Sequence, residues 1–310
     1  MDGAKAAGGG ASGQDRLNDG GTAAPRLRKD MNYVTFVELP AWSTGPGPGL
    51  EEIVAALRAA KVEAVQARDP RPYLAAGFRA TGMGRILAPQ DADAVARAGA
   101  ELGLDATTVH LGDGLETDAE ADRLAGAMLE AGARHGHALH LELHRATLAQ
   151  DMRRTLSLIE RFPELRFTAD LSHWYTGLEM TYGDFTGKLD RLGPVFERVR
   201  MIHGRIGDPS CMQVGMSVDP DRRAIGHFRE MWRRCCRGFL DGAGPGDVLP
   251  FAAELLPNAV TIQGTRVPLD YARLAPGPDG ELREESDRWA DAERLWEIAS
   301  EAFAEATQPA

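Results

Sequence analysis

The chain has 310 residues and a hydrophobic content of 43%, which suits one large packed domain or two small ones. Its net charge of -11, without a basic run, argues against nucleic acid as a partner. No stretch approaches the roughly 20 apolar residues that a membrane span needs, and no signal-peptide core is visible. The cysteines form no disulfide framework and favour a cytoplasmic setting; they are Cys211, Cys235 and Cys236.

Residues 1–30 are rich in Gly, Ala and Asp without periodicity, which predicts a disordered tail before one catalytic domain at 31–310. Strands and helices then alternate along the chain. The predicted strands are 33–38, 62–66, 82–87, 106–110, 138–145, 166–170, 199–203 and 249–254. The predicted helices are 50–60, 70–78, 91–102, 118–135, 147–161, 219–240 and 285–304, with another inside 185–196.

Local signals set several helix ends. Gly103 is typical of a helix C-terminus. The pairs Thr117/Glu120 and Thr147/Gln150 match the capping box that begins a helix, and Asp219-Pro220 matches an N-cap followed by proline.

Eight strand–helix units in series predict a parallel sheet closed into a single (β/α)8 TIM barrel. The alternative is an open, doubly wound sheet. It is disfavoured because no Gly-x-Gly-x-x-Gly turn follows the first strand.

The strand at 138–145 alternates strictly. Its leucines fall on one face, while His140, Glu142 and His144 fall on the other. In a barrel the leucines would face the helices and the polar residues the axis. Polar side chains at the carboxyl end of an inner face lie at the mouth, where barrel enzymes carry out their chemistry.

Polar residues fall on the inner face at the carboxyl end of the next three strands as well. Four residues are predicted at the carboxyl ends of neighbouring inner faces: Glu142, Asp170, His203 and Glu254. Three carboxylates repel one another at such range, and a divalent cation removes the conflict. Oxygen-rich ligation with one imidazole favours Mn, with Mg, Co, Zn and Fe as alternatives. The four residues could also be separate polar groups in satisfied hydrogen-bond networks.

These residues give the sequence a resemblance to the xylose-isomerase-like TIM barrels, the sugar phosphate isomerase/epimerase superfamily. The motifs are Glu142, Asp170-Leu-Ser-His173, His203-Gly-Arg205 and Glu254-Leu-Leu-Pro257. The resemblance implies that the four predicted ligands bind the metal and that both glutamates exchange the substrate proton. It also implies that His173 binds substrate, and in the reaction expected below His173 would stabilise the developing oxyanion. The chain departs from the ketose 3-epimerases in that Arg205 lies only two residues beyond the metal histidine.

The other polar residues predicted near the mouth have two interpretations each. His144 is a general base or a support for the ligand Glu142. His110 contacts substrate or packs in the wall, and Arg145 and Arg205 bind substrate or pair with acids. Trp174 is predicted to line the pocket, and Gln213 to contact substrate from the loop after His203-Gly-Arg205.

The sequence therefore predicts a metal-dependent isomerase or epimerase of a sugar or sugar-like polyol, acting through a metal-stabilised enediolate. One alternative is a lyase that acts on a 3-keto sugar or glycoside by elimination. Another is a non-catalytic sugar-binding barrel, and an apurinic endonuclease is disfavoured by the acidity. Assembly into homo-oligomers is left open.

Overall fold

The computed structural model describes residues 16–308. A short strand, β1 (Leu17–Asn18), precedes the barrel. The barrel strands are β2 (Arg26–Asn32), β3 (Ala64–Gln66), β4 (Arg79–Ile86), β5 (Thr107–Leu111), β6 (Leu139–Glu142), β7 (Phe167–Ala169), β8 (Val199–Gly204) and β9 (Asp247–Ala253). Each strand pairs in parallel with the next, and β9 pairs with β2, which closes the barrel. The predicted (β/α)8 barrel is confirmed, and the doubly wound alternative is wrong.

Helices connect the strands on the outside. They are α1 (Leu50–Ala59), α2 (Arg71–Ala75), α3 (Pro89–Glu101), α4 (Asp118–His135), α5 (Met152–Arg161), α6 (Leu171–Gly177), α7 (Phe185–Arg191), α8 (Gly193–Phe196), α9 (Arg223–Leu240) and α10 (Arg288–Ala306). Within residues 16–308, none of them has the length and apolarity for crossing a membrane.

The predicted first strand at 33–38 is wrong. Tyr33–Thr35 forms a single 3-10 turn, and the first barrel strand is β2. Residues 26–30 of that strand lie inside the stretch that was predicted to be tail. Residues 1–15 of the predicted tail lie outside the described residues.

The composition of β2 explains the error, because three of its four charged residues, Arg28, Lys29 and Asp30, are buried. Arg28 pairs with Asp30 at 2.7 Å and with Asp105 at 2.6 Å, and Lys29 reaches Glu293 at 2.6 Å. Buried charges are tolerated when they are paired in this way. Because the partners of Arg28 and Lys29 include residues far along the chain, the local sequence of β2 is typical of a solvent-exposed segment.

Of three predicted helix starts, one is confirmed and two are wrong. The Thr117/Glu120 capping box begins α4 as expected. The Thr147 side chain instead caps a 3-10 turn at Leu148–Gln150, and α5 begins after a second cap, Asp151. Asp219-Pro220 lies before the start of α9, which begins at Arg223.

The long connection after β9 carries structure that the sequence did not predict. Residues 255–287, here the β10–β13 segment, contain two antiparallel hairpins. Their strands are β10 (Ala259–Ile262), β11 (Thr265–Pro268), β12 (Leu274–Pro276) and β13 (Leu282–Glu284).

The alternation predicted for β6 is confirmed: Leu139, Leu141 and Leu143 belong to the hydrophobic core. Glu142 therefore points toward the axis.

Candidate metal centre

Four neighbouring strands bring the predicted ligands together. Glu142 ends β6 and His203 lies near the end of β8, while Asp170 and Glu254 directly follow β7 and β9. One potential ligand atom from each residue lies within 4.8 Å of those of the other three. All four side chains are buried. We call this set the four-residue cluster.

The cluster turns three carboxyl groups and one imidazole toward one another. His203 Nδ1 lies 3.1 Å from Glu254 Oε2 and 3.5 Å from Glu142 Oε1. Within the described chain, neither ring nitrogen of His203 forms a hydrogen bond of normal geometry. Buried polar atoms are otherwise nearly always satisfied, so this arrangement suits a cation between the side chains.

The side chains perturb one another's pKa values strongly. Burial alone would lower the pKa of His203, but the carboxylates of Glu254 and Glu142 raise it well above its usual value. Burial would raise the pKa of Glu142, but His203 and His110 hold it well below the usual range. The site therefore favours ionised carboxylates next to positive charge.

A buried arginine already supplies one positive charge. Arg205 is 1% exposed. Its Nη2 donates to Asp170 Oδ2, and its Nε donates to Ser172 Oγ at 3.1 Å. Although burial would raise it, the pKa of Asp170 is held well below its usual range by Arg205 and His173. His173 Nε2 lies 3.3 Å from Asp170 Oδ2.

A polar layer beneath the cluster was not predicted. Asn32 Nδ2 donates to Glu254 Oε1 at 3.1 Å and to Gln66 Oε1 at 2.7 Å. Gln66 Nε2 donates to Thr108 Oγ1 at 3.0 Å, and that hydroxyl lies 2.8 Å from Thr168 Oγ1. This layer orients Glu254. Its sequence signal was weak because Asn32 ends the strand that the sequence analysis misplaced.

Two further histidines stand beside Glu142. His110 Nε2 lies 2.9 Å from Glu142 Oε2, and the rings of His110 and His144 are 4.2 Å apart. The ring of His144 is in turn 3.8 Å from that of His173. Burial and the neighbouring His173 lower the pKa of His144 to about 3. His144 is therefore a neutral imidazole at the mouth.

The geometry also fixes the tautomer of His144. Its Nδ1 faces the backbone carbonyl of Arg145 at hydrogen-bonding range. A carbonyl can only accept, so Nδ1 carries the proton and Nε2 presents a lone pair. This arrangement is compatible with the general-base reading of His144.

The other predicted substrate residues lie in different settings. The Arg145 side chain is exposed and lies over the ring of Tyr271, 4.5 Å from the ring centre. Trp174 does not line the mouth: it is 2% exposed in the hydrophobic core, and its indole N–H donates to the Ala149 carbonyl at 2.8 Å.

The Gln213 side chain forms two hydrogen bonds with the backbone of Leu256. Its Nε2 donates to the Leu256 carbonyl at 3.0 Å, and its Oε1 accepts from the Leu256 N–H at 2.8 Å. Leu256 lies two residues beyond Glu254. Gln213 therefore holds the chain that follows a candidate ligand, a role that its position in a loop did not reveal.

Comparison with solved structures supports the fold. The chain is similar to a protein of Rhodospirillum rubrum proposed to be a xylose isomerase, with 14% identity, a TM-score of 0.51, and coverage of 91% of this chain and 100% of that chain. The resemblance to the xylose-isomerase-like TIM barrels is thus confirmed at the level of the fold.

Two other similar structures have lower scores. A sugar phosphate isomerase/epimerase of Parabacteroides distasonis has 9% identity, a TM-score of 0.47 and coverage of 93% of this chain and 98% of that chain. The proposed 3-DHS dehydratase AsbF of Bacillus anthracis has 12% identity, a TM-score of 0.48 and coverage of 74% and 93%. No family model and no curated protein sequence matches the chain.

Proposed function

We propose that this protein is a divalent-metal-dependent isomerase or epimerase of a sugar or sugar-like polyol. The observation that carries the proposal is the four-residue cluster, whose potential ligand atoms lie within 4.8 Å of one another at the mouth of the barrel. Barrel enzymes hold their active sites at this end of the strands. The substrate would be a small carbohydrate bound over the cluster.

The charge of the cluster fits a divalent ion. Glu142, Asp170 and Glu254 contribute three negative charges and Arg205 contributes one positive charge, which leaves a balance of minus two. With His203 neutral, a dication brings that balance to zero. Carboxylate oxygens and one imidazole form a donor set that suits Mn, with Mg, Co, Zn and Fe as alternatives.

A bound divalent ion would supply Lewis acidity toward a substrate carbonyl. The side chains supply the proton chemistry. Glu142 or Glu254 would take a proton from the carbon next to the carbonyl, giving an enediolate, and in an isomerase the same carboxyl group would return it to the adjacent carbon. In an epimerase the other glutamate, holding a proton taken up from solvent, would protonate the opposite face. His173 would donate toward the developing oxyanion. Arg205 would keep Asp170 ionised and in place.

One observation favours a second candidate, a lyase that acts on a 3-keto sugar by elimination. His144 is a neutral imidazole whose Nε2 lone pair is turned toward the mouth. A single base of this kind can remove the proton next to the carbonyl, and the resulting enolate expels a group from the adjacent carbon. The two reactions share the first step and differ in the fate of the enolate.

Proton exchange in D₂O tests the proposal. The protein loaded with Mn²⁺ would be incubated with a panel of ketoses and 3-keto glycosides, and proton NMR would follow the carbon next to the carbonyl. We expect deuterium incorporation by the parent protein and a loss of at least about 100-fold in Glu142→Gln, the usual size of a general-base contribution. An unsaturated product would identify the lyase.

The matched control is Glu63→Gln, because Glu63 pairs with Arg26 on the exterior at the opposite end of the barrel. It should exchange at the parent rate. Exchange that continues unchanged in Glu142→Gln would remove Glu142 from the mechanism.

A further inference from the structure

The β10–β13 segment brings an aromatic residue to the mouth. Tyr271 lies between its two hairpins. The hydroxyl oxygen of Tyr271 is 3.5 Å from His144 Nε2, and its ring meets the ring of His173 edge-on at 6.2 Å. Its ring centre also lies 4.5 Å from Arg145 Cζ and 5.0 Å from Arg205 Cζ. One side chain thus contacts four residues predicted to act at the site.

The contact with His144 covers one side of that imidazole. The Tyr271 hydroxyl lies over Nε2, the ring nitrogen that does not face the Arg145 carbonyl. It therefore covers the nitrogen that His144 offers for contact with a substrate.

The backbone around Tyr271 is fixed to the loop after β8. The Arg273 N–H donates to the Gln213 carbonyl at 2.9 Å, and the Arg273 guanidinium pairs with Asp208. The Cys211 thiol lies 3.4 Å from the Tyr271 carbonyl oxygen. These contacts lie on the same loop that leads away from Arg205, so the structure holds Tyr271 in place over the cluster.

The hairpin formed by β10 and β11 is fixed to the connection after β2, on the other side of β9 from the loop after β8. The Thr261 N–H donates to Glu38 Oε1 at 2.8 Å, and Arg266 pairs with Glu38 Oε2 at 2.7 Å. Glu38 belongs to the connection that follows β2. The β10–β13 segment therefore reaches from the loop after β8 to the connection after β2.

We infer that the β10–β13 segment is a lid and that Tyr271 is its substrate-contacting residue. In the free protein the Tyr271 hydroxyl contacts His144 Nε2. When substrate enters, the hydroxyl turns to a substrate oxygen, and the imidazole becomes available to the substrate. This inference rests on the proposed function, which places the substrate beside His144.

Chemical modification of His144 tests the lid without requiring a known substrate. Diethyl pyrocarbonate acts on the unprotonated imidazole nitrogen, and peptide mass mapping gives the rate for each histidine. In Tyr271→Phe we expect the His144 rate to rise about threefold to tenfold, the value of one lost hydrogen bond. In Tyr271→Ala, which also removes the ring, we expect a larger rise.

The controls separate exposure of the mouth from loss of structure. Tyr182→Ala changes an exposed tyrosine outside the site and should leave the His144 rate at the parent value. His137, buried near the amino ends of the strands, should react equally slowly in all proteins. If Tyr271→Ala fails to fold, Tyr271→Phe decides the question. Equal His144 rates in the parent and Tyr271→Phe would overturn the inference.

A second readout distinguishes the lid from the metal proposal. Mn²⁺ would be loaded and then removed with EDTA, and the Mn²⁺ still bound to the protein would be measured after desalting at successive times. We expect faster release in Tyr271→Ala at an unchanged Mn²⁺ content, and equal rates would count against the lid. If the parent protein takes up no Mn²⁺, the proposed function fails, while the His144 rates still decide whether Tyr271 covers the mouth.

Discussion

Arg205 and Asp170 form a buried ion pair inside the candidate metal centre, with Arg205 Nη2 donating to Asp170 Oδ2. The same Nη2 lies 3.4 Å from Glu254 Oε2. A fixed positive charge thus contacts two of the four predicted ligands. It reduces the charge that a metal ion must neutralise, and it gives Arg205 a structural reason to lie only two residues beyond His203.

Removing this arginine should destabilise the protein in a way that metal repairs. In Arg205→Met, Asp170 and Glu254 lose their buried counter-charge, which typically costs about 3–5 kcal/mol. Added Mn²⁺ should stabilise Arg205→Met more than it stabilises the parent, because the dication replaces the lost positive charge; a ligand at about 100 times its Kd contributes roughly 2.7 kcal/mol. Urea unfolding with and without Mn²⁺ measures both quantities.

Arg28→Met is the matched control, because Arg28 is equally buried and pairs with Asp30 and Asp105. It should be destabilised to a similar extent, and Mn²⁺ should stabilise it no more than it stabilises the parent. If Mn²⁺ helps Arg205→Met and Arg28→Met equally, Arg205 does not neutralise a metal site.

Gln213 should affect metal affinity through Glu254. Gln213→Ala leaves the Leu256 N–H and carbonyl without their side-chain partner and loosens the chain after Glu254. By analogy with residues that orient metal ligands, we expect Mn²⁺ affinity to fall by about 10-fold to 100-fold. Calorimetric titration measures it, with Gln90→Ala on the exposed first turn of α3 as the control. An unchanged affinity would show that Glu254 needs no such support.

His137 should contribute a pH dependence to stability. Burial lowers its pKa, and its Nε2 lies 2.8 Å from Thr107 Oγ1. Below pH 6.5 the unfolded chain then binds more protons than the folded one, so this stability is present at neutral pH and is lost as the pH falls. His137→Gln should remove the contribution, which is about 1.4 kcal/mol for each unit by which the pKa is lowered.

Urea unfolding at several pH values between 5 and 8 checks this. The free energies of unfolding of the parent and His137→Gln should converge toward pH 5 and separate toward pH 8. Two parallel curves would show that His137 has no depressed pKa in the folded protein.

The sequence predicted the site where the information is local. The alternation in β6 correctly separated the leucines of the core from Glu142, and the same period places Asp170, His203 and Glu254 at the mouth. A parallel barrel repeats one geometry at every strand, so equivalent positions converge without knowledge of long-range contacts.

The prediction failed where partners are distant in sequence. Because the ion pairs of β2 involve Asp105 and Glu293, the local sequence of this strand predicts a disordered tail. Tyr271 contacts His144 across 127 positions of the chain, and no local sequence pattern predicts that contact. Trp174 was assigned to the mouth because it follows His173, yet the turn of α6 directs it into the core.

Metal content tests the central claim most directly. The protein, purified without chelator and then equilibrated with Mn²⁺, would be analysed for bound metal beside Glu254→Ala and the control Glu63→Ala. We expect one ion per chain in the parent and the control, and loss of the ion in Glu254→Ala. No bound metal in the parent, or equal metal in Glu254→Ala, would contradict it.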